Sequence, residues 1–377
     1  MKRRRIWTAV LVAAVLAAIA AIIALSPRVR PTAQRGTGRT VTDLAGREIN
    51  VPDRVRRLIA LGPGALRLVA YLDATDRIVG IEDFERRMDR DLYVRPYASV
   101  LDDDVLALPV VGTGGPGAMP DLEKVLMCRP DLIVAVAFDP GQLETIQART
   151  GVPTIYLSYG ELGVWRDEAR RSLVLLGELL GKGERAAAVN ATIASLEKDL
   201  RRRTADVDDS NRPSVYLGGI SYKGAQSLTS TEAGYPPARL AGARNLADEL
   251  GRRGHVIVDA EQILLWNPAF IFVDAGSRSV LEQDFQRNRN FYRLLNSATA
   301  GRVYSLLPYN YYNTNIDLAL LNAYFIGKTV YPNQFDDVSV EAKACEIMEA
   351  FLGIQPDQEI PAFHAVRFPP AGPVEWR

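Results

Sequence analysis

The chain has 377 residues, which is long enough for two domains that each bury a hydrophobic core of their own. Lys plus Arg and Asp plus Glu number 45 each, so the chain carries no global positive charge. Because positive charge supplies most of the affinity for a polyanion, no nucleic-acid partner is expected.

The N-terminus has the order of a targeting segment. Residues 2–5 are all Lys or Arg, and residues 6–25 are uncharged and almost wholly apolar. This order predicts export, with residues 1–26 acting either as a cleaved signal peptide or as an uncleaved membrane anchor. Residues 27–40 are basic, contain Pro and Gly and are predicted to form a flexible spacer. The expected location is periplasmic or otherwise extracytoplasmic.

Short β-rich runs alternate with helical patterns from Val41 onward, which predicts parallel sheets with crossover helices. The strands predicted in the first half are at 57–61, 78–81, 132–137 and 154–157. Most are apolar throughout, as strands covered on both faces must be. Helices are predicted at 63–72 and 121–128. We assign residues 41–182 to an N-terminal α/β lobe.

Two helical patterns follow each other in the middle of the chain, at 167–180 and 184–203. The second pattern has apolar residues at helical spacing and charges elsewhere. We therefore predict that residues 183–205 form a rigid helical connector between two lobes.

Strand patterns resume after the connector, at 214–217, 270–273 and 302–306. They assign residues 206–352 to a C-terminal α/β lobe. Residues 353–377 are rich in Pro and are predicted to be an extended tail.

One stretch of the first half recurs in the second. Residues 121–134 and 259–273 each contain an Asp, a Glu two positions later, an apolar pair, a Pro and then a strand, at identical spacings. The order of helix, Pro and strand is common to α/β proteins and accounts for part of this. The identical spacing favours two similar lobes. The predicted fold class is α/β, with two Rossmann-like lobes whose mostly parallel central sheets are joined by a long α-helix.

Three segments resemble the periplasmic binding proteins of the ABC importers for iron-siderophores, heme and vitamin B12. They are the repeated stretch and residues 222–237 and 308–332. The last two segments are similar to a subgroup usually described as iron-transport binding proteins. The resemblance implies a small ligand held between two lobes and delivery to an ABC permease in the membrane. We expect the protein to be a monomer.

The resemblance also points to two residues that dock the permease. In the family, one surface glutamate on each lobe meets arginines of the permease, and the matching positions are Glu123 and Glu261. Two carboxylates at equivalent places can report lobe closure through charge pairs. The alternative is that each is an ordinary acidic residue favoured by the helix dipole.

Ligands of open α/β sheets bind at the carboxyl ends of the strands, so the loops after the predicted strands are candidates for the cleft. The ligand-binding residues predicted in the first lobe are Pro63, Gly64, Gly114, Gly115 and Tyr159. Residues 112–117 formally match a dinucleotide-binding fingerprint, but Pro116 interrupts it. We interpret that segment as a turn that faces the cleft.

The candidate loops of the second lobe are at 220–235, 274–278 and 309–313. The ligand-binding residues predicted there are Tyr222, Lys223, Ser230, Thr231, Tyr309, Asn310, Tyr311, Tyr312 and Asn313. Tyr rings provide rigid contact area and Asn amides provide donors and acceptors. One Lys with several hydroxyls suits an anionic ligand. The alternatives are that some of these rings belong to the core and that the loop polarity serves only solvation.

Catalysis and direct metal capture are disfavoured. His255 and His364 are the only histidines, and neither has a partner at metal-ligand spacing. The same shortage argues against a Ser-His-Asp site, so no catalytic residue, bound metal or cofactor is predicted. A chelatase-like or metal-cluster enzyme is the alternative of another class. Cys128 and Cys345 are expected to be free thiols, with a disulfide as the alternative.

The predicted cleft residues suit an iron chelate, a heme or corrinoid, or a tetrahedral oxyanion. The resemblance favours an iron chelate or a related metal complex, with a molybdate- or tungstate-type oxyanion as the alternative. Lobe closure is expected to be small, because a helical connector hinges less freely than strands do.

Overall fold

The structure is a computed structural model that describes residues 38–88, 91–160, 166–222, 224–356, 363, 365–368 and 374–376. The predicted signal peptide or anchor, Lys223, His364 and much of the predicted tail lie outside the described residues. Within the described part of the chain, no helix has the length and apolar character needed to cross a membrane.

A hairpin begins the first lobe. Strand β1 (Gly38–Thr42) pairs antiparallel with β2 (Glu48–Pro52), and Arg47 donates hydrogen bonds to Asp43 in the turn between them. The ladder satisfies the backbone groups of residues 38–40. The spacer predicted at 27–40 therefore extends three residues too far, because these residues belong to a strand.

The first lobe is built on a five-stranded parallel sheet with helices on its faces. The strands are β3 (Leu58–Leu61), β4 (Ile78–Glu82), β5 (Val110–Gly112), β6 (Leu132–Val136) and β7 (Thr154–Leu157). The helices are α1 (Ala65–Tyr71), α2 (Asp83–Arg87), α3 (Asp103–Leu106), α4 (Leu122–Met127) and α5 (Pro140–Thr150), with 3₁₀ turns at Thr75–Arg77 and Pro96–Val100. The strand order is β5-β4-β3-β6-β7. All four predicted strands are confirmed, while the short β5 was not predicted.

Two long helices connect the lobes. Helix α6 (Arg166–Leu180) packs against α7 (Gly183–Arg203), which spans 21 residues and most of the predicted connector. The apolar stripe that predicted α7 is buried, as Val189, Ile193 and Leu196 show.

Four strands of the second lobe form a parallel sheet, and two further strands form a separate antiparallel pair. The strands are β8 (Ser214–Gly218), β9 (Ser230–Ala233), β10 (Arg244–Asn245), β11 (Gly254–Ile257), β12 (Phe270–Asp274) and β13 (Val303–Leu306). The helices are α8 (Pro236–Leu240), α9 (Ala260–Trp266), α10 (Arg278–Arg287), α11 (Arg289–Leu294), α12 (Asn296–Thr299), α13 (Ile316–Val330) and α14 (Val340–Leu352), with 3₁₀ turns at Asp209–Asn211, Leu246–Leu250 and Ala275–Ser277. The sheet order is β10-β8-β12-β13, and β9 pairs antiparallel with β11.

The described part of the predicted tail is packed rather than fully extended. Strands β14 (Val366–Arg367) and β15 (Glu375–Trp376) pair antiparallel, and Ala365 bridges to Tyr304 of the second lobe. The ring of Phe363 stacks on that of Phe325 in α13 at 4.1 Å.

One continuous hydrophobic core joins the two lobes. Alternate strand residues point to opposite sheet faces, so Leu132 and Val134 of β6 enter one core while Ile133 enters another. In β8, Val215 enters the same core as Leu132, whereas Tyr216 lies in a third cluster. Helices α1, α6, α7, α8, α13 and α14 contribute to the shared core. The lobes are therefore held by apolar packing as well as by α7.

The last helix, α14, returns to the first lobe. The ring of Phe351 meets that of Tyr71 in α1 edge-on at 5.0 Å, and Arg185 of α7 donates a hydrogen bond to the Phe351 carbonyl at 2.8 Å. Residues late in the chain thus complete the core of the first lobe.

Replacing Phe351 by Ala should therefore destabilise the whole protein. Phe351 is fully buried, so we expect a loss of about 3–5 kcal/mol in the free energy of unfolding, measured by denaturant titration. Val174→Ala on the outer face of α6 is the control, with an expected change within about 0.5 kcal/mol. Equal effects of the two substitutions would show that α14 is not part of the cooperative core.

Candidate functional site in the cleft between the lobes

A cavity of about 630 Å³ lies between the two lobes. It is lined from the first lobe by Phe84, Asp91, Tyr93 and Val94 and from the second by Ser221, Gly224, Ala225, Asp274, Ala275, Gly276, Arg278, Ser305, Pro308, Asn310, Tyr311 and Tyr312. The carboxyl ends of β4, β8, β12 and β13 all lead into these lining segments. The cavity therefore lies where the strand-end rule predicts a ligand site.

Tyr312 of the second lobe reaches across the cleft to the first. Its ring stacks on Phe84 with centroids 3.6 Å apart, and its hydroxyl donates to the Glu82 carboxylate at 3.1 Å. The N–H of Gly115 donates to the same hydroxyl at 2.9 Å. A Cβ on Gly114 would lie 2.8 Å from that oxygen, so a glycine there is what lets Tyr312 approach.

The loop that carries Tyr312 has a strained backbone. Tyr312 and Asn313 have φ values of 51° and 72°, in the left-handed region that is costly for residues other than glycine. Arg67 of α1 donates to the carbonyls of Tyr311, Tyr312 and Thr314 at 3.0–3.1 Å. The Asn313 amide donates to the carbonyl of Pro63 at 3.1 Å. Groups of the first lobe thus hold this loop in its unusual conformation.

Glu82 is the acidic partner of Tyr312 and is buried at the end of β4. Its carboxylate accepts hydrogen bonds from the Gly62 N–H at 3.0 Å. Burial raises the pKa of Glu82 to about 7, opposed by the Gly62 hydrogen bond. The bond that bridges the lobes therefore involves a group that titrates near neutral pH.

Three charged residues of the described part of the chain border the cavity. Asp274 accepts hydrogen bonds from the N–H groups of Gly276 and Ser221, and burial raises its pKa to about 6. Arg278 follows it at the start of α10 and pairs with Glu282, and Asp91 lies on the opposite wall. Among the described residues, no group of three or more His, Cys, Asp or Glu side chains is placed to hold a bare metal ion.

Of the ligand-binding residues predicted at 309–313, some line the cavity and others lie outside it. Asn310, Tyr311 and Tyr312 line the cavity. Tyr309 is buried against Tyr235, with ring centroids 5.4 Å apart. Asn313 contacts the first lobe instead of the cavity. At least one of these rings is thus a core residue, which was the alternative interpretation.

The other predicted ligand residues support the walls. Tyr159 is buried and its hydroxyl donates to the Gly64 carbonyl at 2.9 Å, while Ser230 bonds the Ile220 carbonyl and His255. Tyr222 is exposed and stacks on His255. The predicted residues that do not border the cavity are Pro63, Gly64, Gly114, Gly115, Tyr159, Tyr222, Ser230, Thr231, Tyr309 and Asn313.

The sequence did not lead us to predict the residues of the first lobe that line the cavity. Phe84 follows β4 by two residues, so the strand-end rule could have found it had the loop after 78–81 been included. Asp91 and Tyr93 follow no strand directly and have no local pattern that marks them. Arg67 lies inside a predicted helix and looks like an ordinary surface charge, although it is fully buried.

The two predicted docking glutamates occupy equivalent places. Glu123 lies in the first turn of α4 and Glu261 in the first turn of α9, and both are exposed. Each helix leads into an interior strand of its sheet, β6 or β12. The internal repeat of the sequence therefore corresponds to a structural repeat.

These features define a two-lobed α/β protein with a ligand cavity between its lobes. Residues 58–309 match the model of the periplasmic binding protein family. The chain belongs to this family. It is a solute-binding protein of an ABC transporter and not an enzyme, and its family implies a periplasmic location.

Several known proteins are similar to the chain. The molybdate-binding protein MolA of Haemophilus influenzae is 23% identical over 334 residues, covering 83% of this chain and 90% of the relative. The solved structure of MolA bound to molybdate has a TM-score of 0.66 at 20% identity, covering 85% of this chain and 99% of MolA.

Two further solved structures share the fold. A periplasmic solute binding protein from Veillonella parvula has a TM-score of 0.68 at 19% identity, covering 86% of this chain and 96% of its own. Helicobacter pylori CeuE with Ni(II) bound has a TM-score of 0.61 at 17% identity, covering 84% and 97%. Structural likeness at such low identity establishes the fold alone.

Replacing Glu82 by Gln should remove a pH dependence of stability. The pKa of Glu82 is about 7 in the folded protein against 4.5 as the ordinary value, so its contribution to stability is full below pH 4.5 and is lost as the pH rises through 7. The free energy of unfolding of the wild type minus that of Glu82→Gln should fall by about 3 kcal/mol over this interval and level off above roughly pH 8. Denaturant titrations at a series of pH values measure this difference. A difference that stays constant with pH would contradict the assignment.

Proposed function

We propose that the protein captures an iron chelate or a related metal complex in the cavity and delivers it, as a monomer, to an ABC permease. The size of the cavity carries this proposal. At about 630 Å³ it falls within the range of ~300–1,000 Å³ that accommodates drug-sized ligands, and it far exceeds a single tetrahedral oxyanion. The rings of Phe84, Tyr93, Tyr311 and Tyr312 offer flat apolar area to the organic part of a chelate.

The charges of the cavity support the same ligand class. Two acidic residues, Asp91 and Asp274, and one basic residue, Arg278, are the charged residues among the described lining. Among these described residues the acidic charges outnumber the basic one, which disfavours a bare dianion that loses its hydration there. A chelate spreads its charge over a large surface, so it can meet the Arg and the two Asp residues separately.

A molybdate- or tungstate-type oxyanion is the second candidate. MolA, at 23% identity, is a molybdate-binding protein. The hydroxyls of Ser221 and Ser305 and the guanidinium of Arg278 border the cavity and are suitable donors for an oxyanion.

Native mass spectrometry of the protein purified from its own envelope, combined with metal analysis of the released ligand, distinguishes the two candidates. We expect an organic ligand together with iron or another chelated metal. A mass increase that corresponds to molybdate or tungstate alone would replace the first candidate by the second.

Tyr311→Ala should weaken binding of a metal chelate, because it removes one aromatic wall of the cavity. Intrinsic fluorescence is measured while a ferric catecholate, a ferric hydroxamate or molybdate is titrated into the wild type and into the variant. For the chelate that the wild type binds, we expect the Kd of the variant to be higher on the order of tenfold or more. Tyr311→Phe, which keeps the ring, is the matched control and should retain most of the affinity. If the Ala variant binds the chelate as tightly as the wild type, the ligand lies elsewhere.

Docking to the permease is assigned to Glu123 and Glu261. Both are exposed and stand at equivalent positions on the two lobes, so a partner with two equivalent cationic sites can contact both at once. The alternative role, stabilisation of a helix N-terminus, requires no such equivalence between the lobes.

The Glu123→Gln/Glu261→Gln double variant should bind the chelate with the wild-type affinity in the fluorescence titration. Cells that produce this variant should lose uptake of the same metal complex in radiolabelled form. The loss is expected because the charge pairs with the permease are removed. Glu144→Gln, an exposed glutamate on α5, is the control and should leave uptake unchanged. A fall in ligand affinity in the double variant would assign the two glutamates to the ligand site instead.

A further inference from the structure

The two most exposed large hydrophobic side chains of the described residues occupy equivalent positions in the two lobes. Met127 of α4 is 80% exposed and Leu265 of α9 is 79% exposed. Each follows its glutamate, Glu123 or Glu261, by four residues. Side chains four residues apart lie on one face of a helix, so each lobe presents a carboxylate next to a large apolar side chain.

The backbone around these two positions is also equivalent. Two residues earlier, Val125 and Ile263 are fully buried and anchor their helices to the core. Two residues later, Arg129 and Asn267 adopt the left-handed conformation with φ values of 45° and 46°. In both lobes a Pro follows, and then an interior strand of the sheet. The two exposed side chains therefore project from the same point of the structural repeat.

An exposed apolar side chain is common on protein surfaces and by itself indicates no partner. Here the side chain recurs at an equivalent position of both lobes and lies beside a carboxylate each time. An exposed apolar side chain at the same position of both lobes indicates a partner that has two equivalent binding surfaces. A homodimer formed through one of the two patches would leave the equivalent patch of the other lobe uncovered. A permease with two equivalent subunits or halves would cover both.

We propose, resting on the docking role proposed for Glu123 and Glu261, that Met127 and Leu265 are apolar anchors for the permease. Each inserts into an apolar socket of the permease, beside a cationic group that pairs with the neighbouring glutamate. In protein interfaces, a few side chains that become fully buried near the centre provide most of the affinity, while the surrounding charges set orientation and the rate of encounter. The anchors would hold the complex and the glutamates would align it.

Site-specific photo-crosslinking in cells tests the anchors directly. The full chain is produced with p-benzoylphenylalanine in place of Met127, Leu265, Glu123 or Glu261, one position at a time, and adducts are identified by mass spectrometry. Leu294, which is 66% exposed on α11 and lies outside the repeated helices, is the control position. We expect positions 127 and 265 to form adducts with a transmembrane permease subunit and position 294 to form none.

A polar pair of substitutions provides the second measurement. The crosslinker is again placed at position 123, now in a chain that also carries Met127→Gln and Leu265→Gln. The yield of the permease adduct should be lower than without these two substitutions, on the order of tenfold, because two apolar contacts are lost. An unchanged yield overturns the anchor role. The thermal midpoint of the polar variant should stay at the wild-type value, since both side chains face water.

The remaining outcomes separate the two levels of the proposal. If positions 123 and 261 crosslink to the permease but positions 127 and 265 do not, the anchor role is wrong and docking through the glutamates stands. If none of the four positions gives a permease adduct, docking through these helices is wrong altogether. Adducts of positions 127 and 265 with a second copy of the chain would assign the patches to self-association and overturn the anchor role.

Discussion

The buried guanidinium of Arg67 is the interaction on which the ligand cavity depends. A buried charge is costly unless it is hydrogen-bonded, and here Nη1 and Nη2 bind the carbonyls of Tyr311, Tyr312 and Thr314. The Nε atom has no hydrogen-bond partner among the described residues. Those carbonyls belong to a loop whose left-handed residues would otherwise relax. Asp317 of α13 is also buried and interacts electrostatically with the guanidinium. The position of one wall of the cavity is thus set from within the core of the opposite lobe.

The shared core explains why such a bridge can exist. One face of each sheet packs on a common set of helices, so the lobes behave as neighbours in one structure rather than as two bodies on a rod. Opening the cleft widely would expose apolar surface along this core, which costs about 25 cal/mol for each Å². The architecture therefore favours small adjustments over a wide opening of the cleft.

The ligand site and the docking surface that we propose occupy different elements of the structure. The cavity is formed by loops that differ between the lobes, whereas α4 and α9 repeat the same order of an N-cap Asp, a glutamate and a left-handed residue near the C-terminal end. Only Asp121 caps its helix with a side-chain hydrogen bond. A ligand site benefits from asymmetry because a small molecule presents different groups on its two sides. A docking surface for a partner with two equivalent halves benefits from repetition.

The sequence by itself determined the elements and their repetition. Apolar runs predicted β3, β6, β7, β8 and β12 within a residue or two, and identical spacing around Glu123 and Glu261 predicted equivalent helices. These features are local, since each depends on side-chain period and on Pro or Gly near the element. The aromatic loop at 309–313 was also recognisable, because it follows a strand and is unusually rich in Tyr and Asn.

Only the tertiary structure decided which residues line the cavity. Tyr159 and Tyr309 resemble Tyr311 in sequence context, yet they are buried behind the cavity because helices and loops distant in the chain cover them. Arg67 and the loop it holds are more than two hundred residues apart, and Phe84 gains its role only when Tyr312 stacks on it. Such contacts depend on how the two lobes pack together, and no local period in the chain encodes that packing.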